Sequence, residues 1–156
     1  MSETERILDQ LKRAYKGGAW HGPSVQETLA GISAEMAAAR PISSAHSIWE
    51  VVLHIAAWEA AVARRLEGDR AQLPSEEDWP PVIEMSEAAW SEAKQTLEQS
   101  HDSLVAAVSR LDETKLDQAI LPEMSSIYVT LHGVIQHDLY HGGQIAILKK
   151  ALGIAG

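Results

Sequence analysis

Four long segments with helical periodicity constrain the fold of this chain more than any other feature of its sequence. Their apolar residues recur three or four positions apart over four ranges, roughly 2–15, 44–67, 86–111 and 126–152. Gly17, Gly68 and Gly153 follow three of these segments, where helices commonly end, and Ser43 or Ser44 is expected to cap the second. No stretch alternates between apolar and polar residues for long enough to predict a strand. The sequence therefore predicts an all-α protein.

Three long connections join these segments. The first contains "SVQETL" and "AEMAAAR", which favour short helical turns, and the third, "DETKLDQAILPEMSS", is interrupted by a proline. The second, "GDRAQLPSEEDWPPVIEM", contains three prolines and is interpreted as an extended crossover. Together these features predict one domain over residues 1–156 that folds as a four-helix bundle, of up-and-down type with long crossover connections.

The charge balance bears on the possible partners. Thirteen Lys and Arg residues against 22 Asp and Glu residues give a formal net charge of -9 at pH 7. Such a surface repels nucleic acid and anionic lipid unless a local basic patch intervenes, and the sequence contains none. The N-terminus has no apolar signal segment, and no apolar run is long enough for a membrane span. We therefore expect a cytoplasmic protein with neither a nucleic acid nor a membrane partner.

A histidine pair in the last segment is the first sign of chemistry. In "GVIQHDLYHGGQIAILKK", His137 and His141 lie four positions apart, and with Gln144 they fall on one face of a helix. The chain has no cysteine, so a metal ion would have to be held by His, Asp or Glu. The same spacing also fits a buried, hydrogen-bonded polar cluster, and both interpretations remain open at this point.

The second segment offers a third histidine. His54 lies at the edge of its apolar stripe, beside Trp58, and three helical histidines meeting in a core would leave coordination positions open for substrate. Glu59 falls within that stripe, where an unpaired carboxylate is costly. It could orient a ligand, act as a base or pair with an arginine across the bundle, and we favour the arginine. Gly133, one turn before His137, would provide either room for a ligand or close helix packing.

The remaining aromatic and histidine residues are less diagnostic. The five tryptophans, against no phenylalanine, are expected to anchor the core and the loops. His101 and His132 are interpreted as surface residues. If a metal lies beside an open cleft, the candidates to line that cleft are Trp20, His21, Trp58 and Tyr140.

Three stretches resemble the DinB/YfiT-like family of bacterial four-helix proteins, namely "AWHGPSVQETLAGISAEMAAARP", "HSIWEVVLHIAAWEAAVARRLEG" and "HGVIQHDLYHGGQIAILKKAL". The resemblance implies a divalent metal ion, zinc or nickel above all, held by His54, His137 and His141. It also implies a homodimer. Relatives in that family include enzymes that add a low-molecular-weight thiol to a substrate.

Two classes of function remain open. In the enzyme class, a metal ion activates either an external low-molecular-weight thiol for transfer to a small-molecule substrate or a water molecule for hydrolysis. Gln144 would then contact water or substrate. In the binding class, the protein is a metal or small-ligand module of a stress response, without turnover. The absence of cysteine fits an external thiol and hydrolysis equally, so thiol transfer is favoured on the resemblance alone.

Overall fold

The computed structural model describes residues 1–70 and 72–154 and is all-helical over them, which confirms the predicted all-α class. Over these residues a 3-10 turn at Glu113–Lys115 and an isolated bridge between Ala119 and Ser126 are the other regular features. The α-helices are α1 (Glu3–Tyr15), α2 (Val25–Thr28), α3 (Ala34–Ala38), α4 (Ile48–Leu66), α5 (Ser75–Asp78), α6 (Glu87–Ser109) and α7 (Ile127–Ala151).

Serine side chains begin the four long helices, and one of them corrects the predicted start of α4. Ser47, not Ser43 or Ser44, is the N-cap of this helix. Its hydroxyl oxygen accepts from the backbone N–H of Glu50 at 3.2 Å, while the Glu50 carboxylate accepts from the backbone N–H of Ser47 at 2.7 Å. This reciprocal pair satisfies two backbone donors at once. Ser43 and Ser44 cannot form it, because neither has a glutamate three residues later.

The long helices pack in pairs. α4 and α1 each pack against both α6 and α7, while α2 packs on α7 and α3 on α4. The apolar residues form two buried clusters, one that includes Trp49 and Trp90 and another that includes Leu11, Leu104 and Leu131. Burial of each such side chain contributes about 1.5–3 kcal/mol, so packing accounts for more of the stability than helix propensity does.

The connection between α4 and α6 differs from the extended crossover that the sequence predicts. It contains α5, which lies against α4 and is followed directly by Trp79. Ala71, in the same connection, lies outside the described residues. Among the helices described, none has the length and apolar character needed to cross a membrane.

Candidate metal centre

The three histidines singled out in the sequence come together between α4 and α7. One ligand atom from each of His54, His137 and His141 lies within 4.8 Å of the others. His54 comes from the middle of α4, and the other two are one turn apart on α7. His54 and His141 are buried and His137 is half-buried. Within the described part of the chain this is the group of residues that could hold a metal ion.

Hydrogen bonds orient two of these imidazoles. Nδ1 of His54 lies 2.6 Å from the backbone carbonyl oxygen of Asp78, and Nδ1 of His141 lies 2.6 Å from Oε1 of Gln144. Both acceptors lack a hydrogen, so Nδ1 carries the proton in each imidazole and donates it. The lone pair of each neutral ring is then on Nε2, the nitrogen left free to bind a metal.

Unpartnered atoms around His137 also fit a metal ion. Its Nε2 is 2.9 Å from Nε2 of His54, while its buried Nδ1 and both carboxylate oxygens of the adjacent Asp138 have no hydrogen-bond partner among the described residues. Nδ1 of His137 lies 3.8 Å from Oδ1 of Asp138. A histidine that binds metal through Nε2 carries its proton on Nδ1, which would then face this carboxylate.

The spacing of the nitrogens is also suitable. Tetrahedral zinc with Zn–N bonds of 2.0–2.1 Å places its ligand nitrogens about 3.3 Å apart. The Nε2 atoms of His54 and His137 are 2.9 Å apart, slightly closer than this value. All three ligand atoms lie within 4.8 Å of one another, a range that includes it. The donor set and its geometry therefore fit a divalent ion.

The crossover contributes two site residues that the sequence analysis missed. The Trp79 ring stacks on the His54 ring with centroids 3.8 Å apart and on the His46 ring at 3.6 Å. Asp78 supplies the carbonyl that orients His54, and its Oδ1 accepts from Nε1 of Trp58 at 2.7 Å. Trp79 is the one aromatic residue in the sequence between α4 and α6, and this is the signal that points to the contact.

Burial keeps two of the imidazoles neutral. It lowers the pKa of His141 to about 4, although the hydrogen bond to Gln144 opposes the shift, and the neighbouring His137 and His54 lower this pKa further. Burial likewise lowers the pKa of His54, against the opposing hydrogen bond to the Asp78 carbonyl. Neutral imidazole is the form that binds metal ions, so no proton has to leave these two rings near pH 7.

Two cavities adjoin the triad. One of about 600 Å³ is bordered by His141, Gln144 and Tyr140, and another of about 350 Å³ is bordered by His137 and Trp58. Gln144, Tyr140 and Trp58, three of the predicted site residues, therefore border cavities beside the triad.

The other two cleft candidates lie elsewhere. Trp20 is 100% exposed and His21 is exposed, and neither borders the cavities beside the triad. The expectation that they line the cleft is not met. Both stand in the connection between α1 and α2, outside any helix, so helical periodicity carried no information about where their side chains would lie.

The structure corrects two predictions, the arginine partner of Glu59 and the surface position of His101. Both side chains are fully buried, and Nδ1 of His101 lies 2.9 Å from Oε1 of Glu59, within hydrogen-bond distance. Among the described residues no arginine pairs with this carboxyl group, and His101 is not a surface residue. Leu97, His101, Leu104 and Val108 are all buried on one face of α6. This helical spacing was visible in the sequence and indicates a core position for His101.

A buried polar cluster extends from this pair toward the triad. The pKa of Glu59 is raised well above its ordinary value, mainly by burial and secondly by the nearby Asp138. Burial also raises the pKa of Asp138. Burial lowers the pKa of His101 to about 4. Burial therefore favours the protonated form of Glu59, and the carboxyl group of Asp138 lies beside His137.

Gly133 borders the smaller cavity. A Cβ atom built on it would meet no atom within 4 Å, so close helix packing does not explain this glycine. Of the two alternatives left open by the sequence, room beside His137 is the one that this geometry fits.

Comparison with known protein families matches residues 19–145 to the DinB superfamily. The matched range includes all three histidines of the triad together with Asp78 and Trp79 of the crossover. No curated protein and no solved structure matches the chain.

Proposed function

The chain belongs to the DinB superfamily, and on this premise we propose that it binds one divalent metal ion through His54, His137 and His141. The bound ion serves the transfer of a low-molecular-weight thiol to a small electrophilic substrate. The observation that carries the proposal is the convergence of three side-chain ligand atoms within 4.8 Å. Zinc and nickel are the expected ions because imidazole ligands suit both.

We also propose that the four long helices form a four-helix bundle of up-and-down type with a long crossover over residues 67–86, in one domain. This is supported by α4 and α1, each of which packs on both α6 and α7.

A homodimer and a cytoplasmic location are proposed on the resemblance to the DinB-like family. Sedimentation velocity at micromolar concentration tests the dimer, and a single species of about 17 kDa would contradict it.

The residues of the site prepare it for such an ion. The Asp78 carbonyl and the Gln144 amide oxygen hold the protons of His54 and His141 on Nδ1, so that both Nε2 lone pairs point into the site. Trp79 covers one face of His54 and keeps water from it. When bound, a divalent ion held by neutral imidazoles supplies its full positive charge, which lowers the pKa of a thiol or a water molecule beside it.

The two cavities favour transfer over hydrolysis. Transfer brings two organic molecules together, and cavities of about 600 Å³ and 350 Å³ reach the triad at His141 and His137, respectively. In the transfer, a sulfur–carbon bond forms while the bond from that carbon to its leaving group breaks, and the thiol proton passes to solvent. Hydrolysis requires one organic substrate and water, for which one cavity would be enough.

Metal content is the first test. Protein purified without a histidine tag or chelator is analysed for metals and then titrated with zinc, and we expect one ion per chain. His137→Ala should lose this uptake. His132→Ala is the matched control, because His132 is on the same helix and outside the triad, and it should retain uptake. A wild-type protein that neither contains nor takes up zinc would contradict the metal proposal.

Turnover is the second test. L-Cysteine and monobromobimane are mixed with wild-type protein or His137→Ala, each with and without zinc. We expect a rate above the uncatalysed reaction only for the zinc-loaded wild type. Identical rates in all four mixtures would remove the transferase proposal. Zinc uptake without turnover would indicate a binding module, and a parallel panel of esters and amides tests for hydrolysis.

A further inference from the structure

We infer that the smaller cavity binds the carboxylate of a small organic acid through Arg65, with the apolar body of the acid extending toward His137. This cavity, whose lining includes Trp58, Val62, Arg65, Ser125, Thr130 and His137, is called the acid pocket below. The inference deepens the proposed function, since it names the class of one substrate. The binding itself does not depend on the metal ion.

An unpaired guanidinium is the main feature of the acid pocket. Over residues 1–70 and 72–154, Arg65 forms no ion pair, and its buried Nε has no hydrogen-bond partner. Its neighbour Arg64 pairs with Asp69 at 3.6 Å, and Arg110 pairs with Glu67 at 2.7 Å. In a chain with a net charge of -9, a half-buried arginine without an acidic partner has its planar donors available for an external oxyanion.

The walls of the pocket indicate the chemistry of the rest of the ligand. Val62, Val129 and Val134 provide apolar surface, and the Trp58 ring lies under the guanidinium, with Cζ of Arg65 5.6 Å from the ring centroid. The volume of about 350 Å³ suits a small molecule. Arg65 is the one lysine or arginine among the residues that border the pocket, and the hydroxyl groups of Ser125 and Thr130 are neutral. A monoanionic carboxylate with an apolar body therefore fits it better than a phosphate dianion, whose second charge would lack a cationic partner.

The same tryptophan leads to the triad. The ring centroids of Trp58 and His137 are 6.1 Å apart, so a ligand lying along the indole extends from Arg65 toward the candidate metal centre. Gly133 leaves this path open, because a Cβ atom there would meet no atom within 4 Å. The organic acid would therefore be held by its carboxylate with its other end beside His137.

Calorimetric titration of the metal-free protein tests this assignment. The probes are 3-phenylpropionate, its uncharged amide 3-phenylpropionamide, and phenyl phosphate. We expect the acid to bind at least about tenfold more tightly than the amide, since a hydrogen bond to a charged group is the stronger kind. Equal affinities for acid and amide, tighter binding of phenyl phosphate than of the acid, or no binding of any probe would overturn the inference.

Variants locate the binding. Arg65→Gln should weaken binding of 3-phenylpropionate by at least about tenfold. Arg64→Gln removes the same charge from the neighbouring position outside the pocket and should leave binding unchanged. Gly133→Leu fills the pocket while keeping the guanidinium and should also abolish binding, with circular dichroism showing that both variants are folded. Unchanged binding in Arg65→Gln or in Gly133→Leu would overturn the inference. Since no metal is present, the result stands whether or not the metal proposal holds.

Discussion

The backbone carbonyl oxygen of Asp78 accepts a hydrogen bond from Nδ1 of His54 at 2.6 Å, which ties the crossover to the candidate metal centre. The side chain of the same aspartate accepts from Nε1 of Trp58 at 2.7 Å and lies 3.3 Å from Nδ1 of His54. Two hydrogen bonds to α4 therefore hold this part of the crossover. The direction of the His54 lone pair depends on both.

Asp78→Ala should weaken zinc binding by about tenfold, because loss of the Trp58 contact loosens the carbonyl that orients His54. Glu77→Ala removes an exposed carboxylate from the preceding position and should leave the affinity unchanged. Competition with a chromophoric chelator measures both. Equal zinc affinity for the two variants would show that the Asp78 side chain does not support the site.

Gln144→Ala should also weaken zinc binding by about tenfold, since Nδ1–H of His141 would lose its acceptor. Gln144→Glu keeps an acceptor and should retain at least the wild-type affinity. Gln136→Ala, at an exposed position on the same helix, is the control for a general effect on α7. The same chelator competition applies, and an affinity of Gln144→Glu as low as that of Gln144→Ala would rule out an orienting role.

The raised pKa of Glu59 predicts a pH-dependent effect on stability. Because its pKa is raised in the folded state, its contribution to the free energy of unfolding is fully present below the ordinary value of 4.5 and is lost as the pH rises toward the folded pKa. Glu59→Gln cannot lose a proton, and its amide can still form a hydrogen bond with Nδ1 of His101, as donor or as acceptor. We therefore expect this variant to be more stable than the wild type at pH 8, with a smaller difference at pH 5.

Urea unfolding at both pH values measures this difference. Comparison of variant with wild type at each pH cancels the contributions of the titrating groups that do not interact with Glu59. Glu92→Gln, at an exposed position on α6, should behave like the wild type at both pH values. A Glu59→Gln protein that is less stable than the wild type at pH 8 would mean that the carboxylate is ionised in the folded state.

Lys149 is buried, with 7% of its surface exposed, and its Nζ donates to the carbonyl oxygens of Thr28 at 2.8 Å and Ala30 at 3.4 Å. Lys149→Met should lower the free energy of unfolding by about 1–3 kcal/mol, because both carbonyls lose a charged donor. Lys150→Met changes the neighbouring exposed lysine and should have little effect. Urea unfolding compares the two, and equal stability would contradict a structural role for the Lys149 ammonium group.

Most of the helical architecture could be predicted because helix formation depends on local patterns. The predicted ranges for α1, α6 and α7 agree with the structure to within about two residues at each end. The predicted start of α4 was wrong by about four residues, because several serines precede this helix and the reciprocal hydrogen bonds with Glu50 select Ser47 as its N-cap. The pairing of His137 with His141 was predictable for the same local reason, since a helix places residues four apart on one face.

What the sequence by itself determined is therefore which residues share a helix face, while the tertiary structure decided which faces meet. Periodicity marks Glu59 as a core position but does not reveal that His101, on another helix, would be its partner. It also does not reveal that the Asp78 carbonyl would orient His54, because every residue carries the same backbone carbonyl and the sequence does not distinguish this one. Contacts between distant segments depend on how the helices pack around a shared core, and that packing assembles the three histidines into one site.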